Sequence, residues 1–149
     1  MQLHLIRHPR PAVEPGICYG QTDVGLAESA TEVATRLRPL LPESFTLHTS
    51  PLARARLLAQ ELGTPQVDDR LKEIHFGDWE GRAWNDIERS LLDAWAADVI
   101  GFTPPGGESV ASLQQRVIDF ATSLEAQPAV ALVAHAGVLR ALVGHWQKL

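Results

Sequence analysis

The chain has 149 residues, of which 45% are hydrophobic, and a formal net charge of −5. This length is typical of one domain, and the apolar content is sufficient to bury a core without disulfides or metals. The negative charge argues against a protein that binds nucleic acid through bulk electrostatics, and no apolar run approaches the roughly 20 residues that span a bilayer. We therefore expect a single domain over residues 1–149 that binds neither nucleic acid nor membrane.

The cysteine content and the start of the chain indicate the cellular compartment. Cys18 is the only cysteine and cannot form an internal disulfide. The first predicted strand begins almost at Met1, which leaves no room for the charged and apolar regions of a signal peptide. We therefore expect a cytoplasmic protein.

Apolar strands alternate with amphipathic helices along the chain, a pattern typical of a mostly parallel sheet covered on both faces. The first strand is predicted at Leu3–Ile6 and is followed by an irregular, proline-rich loop to about Gly25. Ser29 and Glu32 form a candidate capping box for a helix that should end or kink at Pro39.

The next strand and helix are predicted to meet near Ser50. A strand is expected at about Phe45–His48, after which Ser50 suits a helix N-cap and Pro51 the first helical position. This assignment places Arg54 in the first turn of that helix.

Two further helices are predicted to cover the sheet. Apolar residues recur at helical spacing from Trp84 to Trp95, and again from Val110 to Leu124. A buried strand at Val130–Ala134 and a last helix at about Val138–Trp146 complete the pattern. We therefore predict a three-layer α/β/α sandwich with a mostly parallel central sheet.

Two histidines follow predicted strands. His8 comes after Arg7 at the end of the first strand, and His135 directly follows the strand at Val130–Ala134. In open α/β sheets, ligands bind at the carboxyl ends of the strands. We therefore expect the two histidines to share one active site.

The charged groups around these histidines indicate an anionic ligand. Arg7 and Arg54 carry rigid forks of donors that match phosphate oxygens. Ala136 and Gly137 follow His135 at a predicted helix N-terminus, where amide groups favour anions. Together these residues predict a phosphate clamp.

His8 and Glu73 are the candidates for the chemical step. A neutral imidazole can attack phosphorus, and a carboxylic acid with a raised pKa can protonate the departing alkoxide. Glu73 lies among apolar neighbours that would favour its protonated form. Asp78 and Glu80 remain alternative donors or orienting groups, whereas the other four histidines show no spacing typical of a zinc site.

These residues and their order resemble the histidine phosphatase superfamily, the phosphoglycerate-mutase-like enzymes. The resemblance covers nearly the whole chain and rests on five blocks: Leu5–His8, Ser50–Ala55, Glu73–Gly81, Gly106–Ser109 and Ala134–Gly137. It implies that His8 is transiently phosphorylated, that Arg7, Arg54 and His135 bind the phosphoryl group, and that Glu73 is the proton donor. It also implies the phosphoglycerate-mutase-like fold and the absence of a metal or other cofactor.

Within that superfamily, two stretches, Arg7–Pro11 and Gly16–Val24, look most like bacterial α-ribazole phosphatases. This resemblance implies a small phosphorylated metabolite, α-ribazole 5′-phosphate, as substrate. The alternatives are a broad-specificity sugar or small-metabolite phosphatase, a phosphoglycerate mutase-like enzyme, and a pseudo-phosphatase that binds phosphate without turnover.

The chain departs from the family pattern in two places. Pro9-Arg10-Pro11 stands where most relatives carry Gly-Glu-Thr or similar, so Arg10 either contacts the substrate or points to solvent. The chain also ends soon after the last predicted helix, earlier than most family members do. A short C-terminus would leave an exposed sheet edge or an open site, and reduced activity or a homodimer would follow.

Overall fold

The computed structural model describes residues 1–147. The strands are β1 (Gln2–Arg7), β2 (Thr46–Thr49), β3 (Gln66–Val67) and β4 (Ala129–Ala134). The helices are α1 (Ala30–Leu37), α2 (Ala53–Leu62), α3 (Arg89–Ala97), α4 (Val110–Ser123) and α5 (Ala136–Trp146). Over residues 1–147, no helix is both long and apolar enough to cross a membrane.

The strands form a parallel sheet in the order β1-β4-β2-β3. The register pairs Arg7 of β1 with Ala134 of β4, and Thr49 of β2 with Val133 of β4. The carboxyl ends of these strands therefore coincide, and the residues that follow them emerge at the same edge of the sheet. β1 is one edge strand of the described sheet.

Helices cover both faces of the sheet. Because side chains alternate between faces along a strand, Ala131 and Val133 pack with α1 and α2, whereas Leu132 and Ala134 pack with α4 and α5. All of β4 is buried, as its continuous apolar run predicts. The predicted three-layer α/β/α sandwich is confirmed.

Helix α1 follows the sequence prediction. The Ser29 hydroxyl accepts a hydrogen bond from the Glu32 amide at 3.2 Å, as an N-cap does. The α-helix ends at Leu37 and tightens into a single 3-10 turn at Arg38–Leu40, which contains Pro39. The proline therefore ends the helix where the sequence indicates.

Helix α2 begins later than predicted. Its N-cap is Leu52 rather than Ser50, and Ala53 is its first residue. The Asp23 carboxylate accepts a hydrogen bond from the Ala53 amide at 2.8 Å, so a residue distant in sequence satisfies this helix end. Arg54 still lies in the first turn, as predicted.

The prediction of a sheet-covering helix from Trp84 to Trp95 is wrong in two respects: where the helix begins and what it packs against. Trp84 lies in a separate 3-10 turn, and α3 starts only at Arg89. The Trp84 and Trp95 rings stack with centroids 5.5 Å apart, inside an aromatic cluster centred on the buried Trp79. These side chains bury each other beside the sheet and do not cover it.

Candidate active site

His8 is positioned by the end of β1. Its amide donates to the Ala134 carbonyl at 3.1 Å, and its ring Nδ1 lies 2.7 Å from the carbonyl oxygen of Pro9. Because a carbonyl oxygen can only accept, we assign the ring proton to Nδ1. The lone pair is therefore on Nε2, which is the nucleophilic nitrogen of this tautomer.

The surroundings of His8 keep its ring neutral. Burial, together with the positive charges of Arg54 and Arg7, lowers the pKa of His8 to about 4, against the hydrogen bond to Pro9, which raises it. The imidazole is therefore neutral near pH 7, with its single proton on Nδ1. A nucleophile needs this state.

The His135 ring lies next to that of His8. The two ring centroids are 5.1 Å apart, and His135 is fully buried. Its Nε2 is 2.8 Å from the Ser50 hydroxyl, while its Nδ1 finds no hydrogen-bond partner among residues 1–147. Burial, followed by the charge of Arg54, lowers the pKa of His135 to about 2. This ring is also neutral at pH 7.

Arg54 is fully buried beside the two histidines. Its Nη1 donates to the Thr22 carbonyl at 2.9 Å, and its Nη2 donates to the Gly20 carbonyl. The guanidinium carbon lies 5.1 Å from the centre of the Tyr19 ring. Burial lowers the pKa of Arg54 from its ordinary value, but a guanidinium stays charged in proteins. A fixed positive charge therefore faces the site.

Glu80 holds the loop to which Arg54 is bonded. Its carboxylate accepts from the amides of Gly20 at 2.7 Å, Gln21 at 2.6 Å and Thr22 at 3.3 Å. Gly20 must be glycine here, because a Cβ would lie 1.9 Å from the Ile74 carbonyl oxygen. Glu80 is thus an orienting group in this structure, one of the two roles that the sequence left open.

Glu73 is held at the N-terminus of α5. Its Oε1 accepts from the Ile74 amide at 2.9 Å, and its Oε2 accepts from the Gly137 amide at 3.2 Å. A Cβ on Gly137 would lie 2.5 Å from Oε1, so glycine is needed for this close approach. In this structure the Gly137 amide is bonded to Glu73, and its predicted role in phosphate binding stays a prediction.

Arg116 braces the backbone that carries Glu73, a role that sequence reasoning missed. Its guanidinium donates to the carbonyls of Lys72 at 2.6 Å and Glu73 at 3.0 Å. It also pairs with the Glu108 carboxylate at 2.6 Å, and Glu108 in turn accepts from the His75 amide at 3.0 Å. The block Gly106–Ser109 was the available sequence signal, although it did not point to Arg116.

A cavity of about 230 Å³ brings the predicted residues together. It is lined by Arg7, His8, Ile17, Tyr19, Arg54, Glu73, Phe76, Trp84 and Ala136. We call it the phosphate cavity. Asp78, Glu80 and the buried His135 do not line the phosphate cavity.

Arg10 is not brought to the phosphate cavity. It lines a separate cavity of about 630 Å³ formed by the loop that follows His8. Its amide donates to the Glu28 carboxylate at 2.6 Å, and its side chain is exposed. The substrate contact proposed for Arg10 stays a prediction.

Cys18 takes no part in this arrangement. The thiol is fully buried, and burial, with the nearby Glu80 charge, raises the pKa of Cys18 to about 12. A thiol with such a pKa is not a nucleophile at neutral pH.

Comparison with known proteins identifies the family. The model of the histidine phosphatase superfamily (branch 1) matches residues 3–149. The chain belongs to the histidine phosphatase superfamily.

Relatives of this histidine phosphatase have more than one activity. It is 32% identical to the adenosylcobalamin/α-ribazole phosphatase of Escherichia coli K12, over 96% of this chain and 77% of that protein. It is 30% identical to the glucosyl-3-phosphoglycerate phosphatase of Mycolicibacterium vanbaalenii, over 95% of this chain and 72% of that protein. The relatives are phosphatases, and so is this chain.

Solved structures show the same fold. A candidate α-ribazole-5′-P phosphatase from Escherichia coli K-12 superimposes with a TM-score of 0.90 at 30% identity, covering 100% of this chain and 80% of the other. A phosphoglycerate mutase from Thermus thermophilus superimposes with a TM-score of 0.82 at 36% identity, covering 99% and 85%. The phosphoglycerate-mutase-like architecture is confirmed.

Proposed function

We propose that this histidine phosphatase is a metal-independent phosphomonoesterase that acts through a phosphohistidine on His8, with α-ribazole 5′-phosphate as its substrate. The observation that carries the proposal is the fixed tautomer of His8. Because Nδ1 is bonded to the Pro9 carbonyl, the lone pair of the ring is on Nε2. His8 itself lines the phosphate cavity. Arg7, Arg54 and Glu73 line the same cavity.

In the first step, Nε2 of His8 attacks phosphorus, and the bond from phosphorus to the ester oxygen breaks. Glu73 in its protonated form gives its proton to that oxygen, so the alcohol leaves neutral. The fixed charges of Arg7 and Arg54 offset the negative charge on the phosphoryl oxygens. In this proposal His135, whose ring centroid lies 5.1 Å from that of His8, is a further phosphoryl ligand, although its buried side chain does not line the cavity in this structure.

In the second step, the Glu73 carboxylate takes a proton from water, and the water oxygen attacks phosphorus. The bond from phosphorus to Nε2 breaks, and inorganic phosphate leaves. His8 is neutral again, and Glu73 is protonated for the next cycle. Glu73 passes one proton from water to the leaving alcohol in each cycle, and Arg7 and Arg54 offset the phosphoryl charge, which supports a mechanism without metal.

Two sets of relatives bear on the substrate. The α-ribazole phosphatases and the structural neighbour with a TM-score of 0.90 support α-ribazole 5′-phosphate. The glucosyl-3-phosphoglycerate phosphatases, at 30–31% identity, favour a second candidate, a broad phosphatase of phosphorylated sugars and small metabolites.

The test is phosphate release from α-ribazole 5′-phosphate, glucosyl-3-phosphoglycerate and 3-phosphoglycerate in excess chelator, with native protein and His8→Ala. We expect metal-free release that His8→Ala abolishes, and the highest kcat/KM for α-ribazole 5′-phosphate. A preference for glucosyl-3-phosphoglycerate would replace the substrate assignment. Phosphate binding without release from any ester would indicate the pseudo-phosphatase.

A further inference from the structure

A second cavity adjoins the phosphate cavity on the side of Glu73. It measures about 420 Å³, a size typical of small-molecule sites, and lies between α3, α4 and α5. It shares four lining residues with the phosphate cavity: Tyr19, Glu73, Phe76 and Ala136. A ligand in one cavity can therefore continue into the other.

The position of Glu73 determines which cavity receives the leaving group. In phosphoryl transfer the attacking and leaving atoms lie roughly in line with phosphorus, so the ester oxygen faces away from His8. That oxygen must also reach the proton on Glu73. Glu73 lines the 420 Å³ cavity, whereas it does not line the loop cavity that holds Arg10.

The walls of this cavity are mostly apolar. Ile74, Phe76, Trp95, Val110 and Leu113 form much of its surface. Val99 and Ile100, which are 45% and 50% exposed, also line it. Gln114 and Arg140 are the polar residues that it does not share with the phosphate cavity, and neither is a carboxylate. Exposed apolar side chains beside a cavity are typical of a ligand-binding surface.

We infer that this cavity is the leaving-group site and that it selects phosphomonoesters whose alcohol carries a planar, apolar ring. The inference rests on the proposed function, because it assumes attack by His8 and protonation by Glu73. An aromatic ring covers Val99 and Ile100 and excludes water from them. A polyhydroxylated alcohol finds few hydrogen-bond partners on these walls and loses part of its hydration.

The test compares benzyl phosphate with ethyl phosphate, two alkyl esters that differ in the ring. We expect kcat/KM for benzyl phosphate to exceed that for ethyl phosphate by about tenfold or more, since burying one ring is worth at least that factor. Ile100→Asp should lower kcat/KM for benzyl phosphate by about tenfold more than it lowers kcat/KM for ethyl phosphate. Leu40→Asp, at an apolar residue that is 72% exposed and outside both cavities, is the matched control and should change neither rate.

Equal kcat/KM for the two esters, or an equal loss for both esters in Ile100→Asp, would overturn the inference. Val99→Asp repeats the test at a second position and decides it if Ile100→Asp does not fold. Failure of the proposed function is distinguishable, because then neither ester is hydrolysed and no phosphate appears on His8. Hydrolysis through phospho-His8 without preference for the ring would refute the leaving-group site alone.

Discussion

Glu80 and Arg54 bind the same short loop through complementary backbone groups. The Glu80 carboxylate accepts from the amides of residues 20–22, whereas the Arg54 guanidinium donates to the carbonyls of Gly20 and Thr22. The loop therefore transmits the position of Glu80 to Arg54, although Glu80 does not line the phosphate cavity. Glu80 is a positioning residue in this account.

Loss of the Glu80 carboxylate should weaken phosphate binding. We expect Glu80→Ala to lower kcat/KM by about tenfold to a hundredfold, the range for lost hydrogen bonds to a charged group. Glu80→Gln retains one acceptor oxygen and should lie between native protein and Glu80→Ala. Steady-state kinetics and competitive inhibition by inorganic phosphate measure both effects, with the exposed Glu61→Gln as control.

Comparing esters with different leaving groups distinguishes this positioning role from a proton-donor role. A positioning residue affects all esters alike, so p-nitrophenyl phosphate and ethyl phosphate should lose the same factor in Glu80→Gln. A larger loss for ethyl phosphate would show that Glu80 acts on the leaving oxygen, contrary to this account.

Glu73→Gln, unlike Glu80→Gln, should affect the two esters unequally. A poor leaving group needs protonation, so we expect kcat/KM for ethyl phosphate to fall by about 10² to 10⁴-fold, the usual contribution of general acid catalysis. The nitrophenolate ion leaves without a proton, so the loss for p-nitrophenyl phosphate should be much smaller in single-turnover measurements of the first step. Equal losses for the two esters would remove Glu73 as the acid.

The Ser50 hydroxyl should fix the ring of His135. Ser50→Ala removes the 2.8 Å contact at Nε2 and leaves a buried nitrogen without a partner. We expect the free energy of unfolding to fall by about 1–3 kcal/mol, and nitrogen NMR to show a second tautomer of His135. Ser50→Thr keeps a hydroxyl and serves as the matched control. An unchanged tautomer and stability in Ser50→Ala would contradict this role.

Particular residues show how far the sequence predicts this site. Arg7, His8 and His135 could be placed because each follows or ends a strand whose apolar run is unambiguous. The roles of Glu80 and Ser50 could not, because their partners lie 60 and 85 positions away in the sequence. Such contacts depend on the packed loop and the strand order, and neither leaves a periodic pattern.

The error at Trp84 has a related cause. Helical spacing in the sequence indicates which side chains share a face of a helix. It does not indicate what that face packs against. Trp84 and Trp95 do share a cluster, yet they reach it from a 3-10 turn and a separate helix. Periodicity therefore predicted the contact correctly and the element incorrectly.

The buried His8 should make stability depend on pH. Its pKa of about 4 in the folded state lies below the roughly 6.5 expected when unfolded, so the unfolded chain takes up the proton first as pH falls. The contribution of the neutral His8 ring to the free energy of unfolding is complete above about pH 6.5 and is lost as the pH falls towards 4. Between pH 7 and pH 5 this amounts to about 2 kcal/mol.

Urea denaturation of native protein and His8→Asn at both pH values measures this contribution. We expect the free energy of unfolding of the native protein to decrease by more than that of His8→Asn, because Asn does not titrate. An equal decrease in the two proteins would show that His8 does not contribute.

The most direct test of the account is to trap the phosphorylated enzyme. Native protein is mixed with substrate carrying ³²P in the phosphoryl group, quenched in alkali within one turnover, and digested for mass spectrometry. The account predicts an alkali-stable, acid-labile phosphate on Nε2 of His8, which forms and decays at rates that match turnover and is missing in His8→Ala. Full turnover with no phosphate on His8 at any time, or with phosphate on another residue, would contradict it.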